Sequence, residues 1–476
     1  MSNYQHGVYV SEKVADAPVS ATSLLGLQVV VGTAPVNLAE EVAVNVPKLC
    51  KTLEDVKKMI GYSDFCDFEK YTLCQSAYAS FKKFKVGPVV FINVLDPAKH
   101  KESVAQKEYP VKGKKVVISE FGVMKSTVVA KLTDNGQALK IGIDYTLDFN
   151  KEGYLIVSVT ADGAAKTATK LFIAYEKLAP QKVLDNDVIG TKTTTGETGL
   201  HLIKRIYPLF NENAGLLLAP GFSKNRAVAI EMESLCENIN GCFMTECVID
   251  IDSNTAKNYS KVKGAKEELG IKSSHTIAVW PSYYDGGRVL EMSAIAAAHI
   301  IANDYNNGSV PYKSPSNKLI GEGYPCLADG TKVMLDQEEA NEVNAAGVVT
   351  ALNMSGFRLW GNNTAAFPEK NNAKERWMSV RRFFSWWVNR FIKEYSSKID
   401  ENANFRLIEA ILDNEKVVCN TFIARGYVPH AEIVFDESGS NISEGKLKFI
   451  QKIGGYPPAE SIENVITFNS NPGGEK

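Results

Sequence analysis

A chain of 476 residues is more than one ordinary hydrophobic core serves, so two to four domains are expected. With 45% hydrophobic and 23% charged residues the composition is globular, and a formal net charge of -2 gives no electrostatic footprint for nucleic acid. No run reaches the roughly 18 apolar residues of a membrane helix, and the start MSNYQHGVYV lacks the basic and apolar regions of a signal peptide, so neither membrane insertion nor export is expected.

Residues 6–10 read as a short alternating strand, and the polar stretch after it, to Pro18, has nothing to bury. Residues 1–20 are therefore expected to be an arm that is mobile or pairs elsewhere. The apolar run LLGLQVVVGTA from Leu24 predicts a strand covered on both faces. Helical segments at 52–60, stopped by Gly61, and at 71–84 lead to a second buried strand at 89–94. After Asp96-Pro97 the texture changes. Between 98 and 183 the runs VVISEFGV, STVVAKL, DYTLDF, YLIVSVT and KLFIAY are separated by Asn135-Gly136, Lys151-Glu152-Gly153 and Asp162-Gly163 turns. That spacing predicts a small β-sandwich or barrel inserted as one unit.

From 184 the pattern is helix 201–210, strand 215–219, helix 224–239, strand 243–251, helix 256–269 and strand 276–280, which implies a mainly parallel sheet. The helix at 288–305 carries Ala294, Ala297, Ala298 and Ile301 on neighbouring positions, so it can pack close to its neighbour. A loop at 309–325 and a helix at 338–344 precede a strand-like FRLWG, an Asn-rich loop and the most aromatic helix of the chain. At about 100° per residue Trp377, Val380, Phe384, Trp387, Val388, Phe391 and Tyr395 form one apolar stripe, and Arg382, Asn389, Arg390 and Lys393 mark the opposite face. Trp386 stands among those polar residues. Trp flanked by Arg is what interface hot spots are enriched in, so Trp386, Arg382 and Arg390 are candidates for a docking surface; the alternative is that Trp386 covers a neighbouring domain. Helices at 404–412 and 416–424, strands at 432–435 and 446–452, and a tail with one more alternating strand at 461–468 (SIENVITF) complete the chain.

An enzyme reading finds little to hold. The chain has no G-x-x-x-x-G-K-[ST], no G-x-G-x-x-G after a strand, no H-E-x-x-H and no G-x-S-x-G, and its six histidines show no paired spacing. Gly221 lies between a strand and a helix, where an anion could bind, but a plain turn is the commoner use of such a glycine. Asp250 and Asp252 end a strand of the parallel sheet, where α/β folds keep their sites; holding a cation there competes with solvated or helix-capping roles. Eight cysteines include no C-x-x-C pair, and the tightest cluster, Cys236, Cys242 and Cys247, is spaced more widely than zinc knuckles, so free thiols and no metal site are expected.

The run Phe357-Arg358-Leu359-Trp360-Gly361-Asn362-Asn363-Thr364, followed by a helix containing Val380-Arg381-Arg382, resembles the C-terminal domain of the sheath proteins of contractile phage tails and phage-tail-like bacteriocins. Gly7-Val8-Tyr9-Val10-Ser11-Glu12, Ala302-Asn303-Asp304 with Gly308, and Gly445-Lys446-Leu447 with Pro457-Pro458-Ala459-Glu460 are similar to further landmarks of that family, in the same order. The resemblance covers nearly the whole chain except roughly 98–183. With the pattern above it gives an expected α/β and α+β multidomain fold. The expected parts are an N-terminal arm (1–20), a discontinuous parallel-sheet α/β middle domain (21–97 and 184–350), a β-rich outer insertion (98–183), an α+β inner domain (351–453) and a C-terminal arm (454–476).

The resemblance implies a structural subunit, not an enzyme, that polymerises helically around an inner tube and contracts to drive the tube through a target envelope, with no cofactor. Implied partners are other copies of the chain in hexameric rings, the inner tail tube protein, and baseplate and tail terminator proteins, with no nucleic acid or membrane. Assembly in the host bacterial cytoplasm and a place in the virion or tail-like particle are implied by the same likeness. It also implies strand exchange between subunits through Gly7, Val8, Tyr9 and Val10 and through Ile462, Val465, Ile466 and Phe468, and a tube-facing helix carrying Arg406, Glu409 and Asp413. The alternatives are a non-contractile self-assembling or binding protein with the same α/β core, and a hydrolase with an unrecognised site.

Overall fold

Strands of almost wholly apolar residues need cover on both faces, and the runs QVVVG (Gln28–Gly32) and VVFIN (Val89–Asn93) are buried throughout. The computed structural model describes residues 27–468. Among these, the two runs lie side by side in a nine-stranded sheet. Its order is Lys318–Leu319, Phe357–Trp360, Val348–Asn353, Thr276–Val279, Glu246–Asp250, Leu216–Leu218, Gln28–Gly32, Val89–Asn93, Lys48–Cys50. The strands from Val348–Asn353 to Val89–Asn93 pair in parallel, as expected, and antiparallel strands close both edges.

The chain order of these strands reverses between Gln28–Gly32 and Leu216–Leu218, which is where a doubly wound sheet opens a ligand crevice. Thr72 fills it. A Cβ on Gly32 would stand 2.3 Å from Thr72 Oγ1 and one on Gly221, at φ +80, 3.0 Å from Thr72 Cγ2. The Thr72 amide donates to Thr33 Oγ1 at 3.0 Å, and the Thr33 hydroxyl donates to the Lys70 carbonyl at 2.6 Å, so local donors are spent on local acceptors.

The insertion folds as six strands in two three-stranded sheets, Lys101–Pro110, Lys170–Leu178, Val129–Lys131 and Lys115–Ile118, Leu155–Val159, Tyr145–Phe149. Alternating residues such as Val116, Ile118, Leu155, Val157, Leu171 and Ile173 form a core of its own between them. Lys101 pairs with Leu178, so the unit enters and leaves at one place.

Three expectations change. The strand Phe357–Trp360, placed by sequence at the head of the 351–453 domain, pairs antiparallel with Val348–Asn353 through a turn with Ser355 at φ 55 and Gly356 at φ 113, so the large sheet extends past 350. The expected helix 288–305 is a short strand, Arg288–Leu290, followed by the helix Met292–Asn306. The expected helices 404–412 and 416–424 are one helix, Phe405–Ala424, capped by Asn404, whose side chain accepts from the Leu407 amide at 3.0 Å. Its polar midpoint does not break it, because Glu415 is fully buried and accepts hydrogen bonds from Arg390, Tyr395 and Gln451.

Replacing 101–178 by a short Gly/Ser linker should leave a soluble protein that melts in a single cooperative transition only slightly below that of the full chain, followed by circular dichroism. A product that is insoluble or melts without cooperativity would mean the body needs the insertion to fold.

Candidate assembly surfaces

The helix Met378–Tyr395 is held from both sides. The WGNNT motif sets its start: Gly361, at φ +117, passes so near Asn344 that a Cβ would stand 2.7 Å from its amide nitrogen. Asn362 then accepts the Met378 amide on its carbonyl at 2.8 Å and donates from its side chain to Ser379 Oγ at 3.0 Å. The helix accordingly enters at a fixed angle.

Its polar face, expected to be open, is buried against the α/β body. Arg382 makes a two-pronged pair with Asp304, Nη1 to Oδ1 at 3.2 Å and Nη2 to Oδ2 at 2.5 Å, with both side chains within 3% of complete burial. Ser385 donates to Glu246 Oε1 at 2.5 Å, Asn389 exchanges two hydrogen bonds with the Met244 backbone at 2.9 and 2.7 Å, and Lys393 meets Glu212 at 2.6 Å. Burial alone would push Glu246 up, but hydrogen bonds from His275 and Ser385 and the charges of His275 and Arg381 hold it below the ordinary glutamate range. Burial likewise raises Asp304 against the opposing pull of Arg382. Two sequence landmarks, Asp304 after the alanine-rich helix and Arg382 in the aromatic one, are thus the two halves of a single ion pair.

The other side of the helix packs Phe383 and Trp387 on Cys419 and Phe422 of Phe405–Ala424 and on the hairpin Ala431–Phe435/Phe449–Ile453. Arg390 grips buried Glu415 at 2.9 and 2.5 Å; Tyr395 and Gln451 donate to the same carboxylate at 2.9 and 2.7 Å, which ties the hairpin to both helices.

The docking surface expected at Trp386, Arg382 and Arg390 is therefore a correction. Both arginines are consumed by internal carboxylates, and Trp386 is half-buried with its ring stacked on Phe422 at 5.6 Å. A helical wheel counts charge as a solvent face, and it cannot see an acid 78 residues away in the chain.

At the carboxyl ends of the parallel strands Asp250 and Asp252 do separate local work. Buried Asp250 accepts from the Ser293 amide at 2.7 Å and from the hydroxyls of Ser293 and Ser223 at 2.5 and 2.9 Å, and so caps the helix Met292–Asn306; burial lifts its carboxyl to about 7. Asp252 holds the turn after it through the Asn254 amide at 3.0 Å and the Thr255 hydroxyl at 3.1 Å. Among the described residues no group of three His, Cys, Asp or Glu side chains is placed to hold a metal ion, and no helix is long and apolar enough to cross a membrane.

What is left open lies at the C-terminal end. The hairpin is a two-stranded sheet, so each strand has one unpaired edge among the described residues, and Val434 and Ile450 are exposed opposite each other on its outer face. After it Gly454 donates to His430 O at 2.8 Å, and Glu460 is clamped by Arg376 at 2.6 Å to each oxygen, the guanidinium lying 4.3 Å from the Phe367 ring and 4.0 Å from that of Trp377. The strand expected at 461–468 is not formed, because nothing among the described residues pairs with it. Ile462, Val465, Ile466 and Phe468 stand 89, 75, 85 and 92% exposed. Gly7, Val8, Tyr9 and Val10 lie outside the described residues. Arg406, Glu409 and Asp413 are all exposed on the helix Phe405–Ala424, with Asp413 3.5 Å from Lys416.

These features define a mixed α/β, multi-sheet body whose C-terminal region carries, among the described residues, an unpaired strand edge and an unpaired apolar segment. No family model matches the chain. It is 24% identical over 491 residues to the tail sheath protein of Burkholderia phage BcepMu, covering 98% of this chain and 97% of that one. The fold is shared with a chain of the anti-feeding prophage baseplate (TM-score 0.58, 15% identity, 98% of this chain and all of that one). It is shared too with the anti-feeding prophage helical sheath in its contracted state (TM-score 0.56, 14% identity, 99% and 100%). Over nearly its whole length the chain is thus similar to a phage tail sheath protein, and its fold is that of a contractile-particle sheath.

Arg382→Met alone should cost about 3–5 kcal/mol, since it strands Asp304 as a buried unpaired charge, whereas Arg382→Met with Asp304→Leu should recover most of that loss. Denaturant unfolding of the single and double variants decides it; additive losses would mean that the pair is not what joins the two regions.

Proposed function

We propose that this protein is the sheath subunit of a contractile tail or tail-like particle, structural and not enzymatic, that polymerises around an inner tube, starts on a baseplate and is cohered by exchange of its terminal arms. The observation that carries this reading is the match between the open hairpin and the bare tail. Along an extended chain Ile462, Ile466 and Phe468 fall on one face with Asn464, and Val465 falls on the other. The hairpin's inner face has a related pattern: Phe449 and Ile453 flank Gln451, and Ala431, Ile433 and Phe435 stand opposite. A tail strand from a neighbouring copy, added to an edge of this hairpin, would set apolar against apolar there, and the N-terminal Gly7, Val8, Tyr9 and Val10 have the alternation to add another.

The energetics suit a lattice. Four or five added backbone hydrogen bonds contribute about 1 kcal/mol each, and ordering about eight residues costs a similar or larger sum. Burial of Ile462, Ile466 and Phe468, about 1.5–3 kcal/mol each, then decides for binding. One arm alone holds weakly; arms on subunits already in contact act at high effective concentration. In this arrangement the C-terminal region lies innermost, with Arg406, Glu409 and Asp413 toward the tube, and the 98–183 insertion lies outermost. Contraction needs no nucleotide, because the extended array relaxes downhill as its subunits turn outward as rigid bodies, and the Arg382–Asp304 joint is what such rigidity requires.

Changing Ile462, Ile466 and Phe468 together to Ser should leave a soluble subunit with an unchanged melting temperature that forms no extended sheath in electron micrographs, while Val465→Ser still assembles. Full-length sheath from the triple variant would end the arm-exchange mechanism. Separately, charge reversal at Arg406 and Glu409 should weaken co-sedimentation with the tube and spare sheath-only polymers, each exposed pair being worth only about 0–1 kcal/mol; unaltered co-assembly would remove this helix from the tube surface.

A further inference from the structure

The segment between Gly61 and the helix Leu73–Ala77 is irregular, yet it carries the Thr72 wedge at the centre of the large sheet, and its Cys66 meets Cys74 in the first turn of that helix. Cys66 Sγ lies 3.5 Å from Cys74 Sγ and also donates to the Ser63 carbonyl at 3.1 Å. A disulfide needs about 2.05 Å between the sulfurs, so the pair must close by about 1.5 Å. The two thiols differ in access: Cys66 is 5% exposed and Cys74 not at all. Cys236 and Cys247 also neighbour each other, but both are 0% exposed, with Cys236 donating to the Met232 carbonyl at 3.2 Å and Cys247 beside Thr276 Oγ1 at 3.4 Å.

We propose that Cys66 and Cys74 form a peroxide-oxidisable dithiol, with Cys66 the attacking sulfur and Cys74 the resolving one, and that its disulfide staples the segment holding Thr72 once the protein leaves a reducing compartment. The oxidant class is a small hydroperoxide, of a size that reaches a thiol at the rim of a packed core. The Cys66 thiolate attacks one peroxide oxygen, the O–O bond breaks, and the departing hydroxide takes up the proton that Cys66 released, leaving a sulfenic acid and water. Cys74 Sγ then attacks Cys66 Sγ; the S–O bond breaks, and the leaving hydroxide takes the Cys74 proton as a second water. Two thiols and one hydrogen peroxide give one disulfide and two waters. Burial raises the Cys74 thiol well above its ordinary range, so Cys74 gives up its proton only as it attacks the neighbouring Cys66 sulfur. The ring closed this way spans only residues 66–74, so it tightens the wedge without tying one region of the chain to another.

The test uses the full-length reduced protein and hydrogen peroxide at a ratio just sufficient to oxidise half-buried Cys242, followed by quenching, unfolding, alkylation and peptide mapping. The expected product carries an intramolecular Cys66–Cys74 crosslink, with Cys236 and Cys247 still alkylated, and melts at a higher temperature than the reduced protein in a manner reversed by dithiothreitol. Cys74→Ala should instead accumulate a dimedone-reactive sulfenic acid at Cys66. Mapping of the wild type stands whether or not that variant folds. Full alkylation of both Cys66 and Cys74 while Cys242 is oxidised, or a crosslink from Cys66 to any other cysteine, would overturn the proposal.

Discussion

The molecule depends on a charge pair almost wholly withdrawn from solvent. Arg382 and Asp304 face each other almost completely buried, and a pair so placed keeps its low energy only where both prongs and their surroundings stay in register. The aromatic helix that carries Arg382 is shared by two cores. One side belongs to the α/β body through Asp304, Glu246 and Met244, the other to the Phe383, Trp387 and Phe422 cluster. Apolar faces would tolerate sliding; a row of directional contacts along one helix does not. The chemistry of the joint therefore makes two cores behave as one solid.

Against that solid the C-terminal end is unfinished in a particular way. The hairpin is fixed to the helices by Glu415, which accepts from Arg390, Tyr395 and Gln451, so its open edges are presented in a set orientation. The tail is fixed as well, at Glu460, by an Arg376 whose guanidinium lies against two aromatic rings. Beyond that clamp, residues 461–468 carry Ile462, Val465, Ile466 and Phe468 into solvent. A rigid acceptor beside a tethered donor is the arrangement that favours pairing between copies, and in the proposed sheath it is the source of cohesion.

Much of this was legible in the residues. Continuous apolar runs identified the buried strands Gln28–Gly32 and Val89–Asn93, and turn chemistry outlined the insertion. Periodicity finds the aromatic helix but not the burial of its polar face, since it reports which residues are alike and not which distant acid awaits a given arginine. The same limit split Phe405–Ala424 in two: a Glu in the middle of a helix looks like solvent until Arg390 and Gln451 are beside it. The hairpin at 354–356 joined to the large sheet a strand that its position in the chain had assigned elsewhere. Family landmarks such as Asp304, Arg382 and Glu460 were visible as isolated words, and the fold supplies their grammar, because Asp304 pairs with Arg382 and Glu460 with Arg376.

The central claim is that assembly completes a sheet on a subunit that is otherwise already rigid. Hydrogen–deuterium exchange on free and polymerised protein tests it most directly. The account predicts that edge amides of Ala431–Phe435 and Phe449–Ile453, and amides of 461–468, exchange freely in the subunit and become protected in the polymer, while those around Arg382 and Asp304 are protected equally in both. Polymer whose hairpin and tail amides exchange as fast as in the free subunit would contradict it.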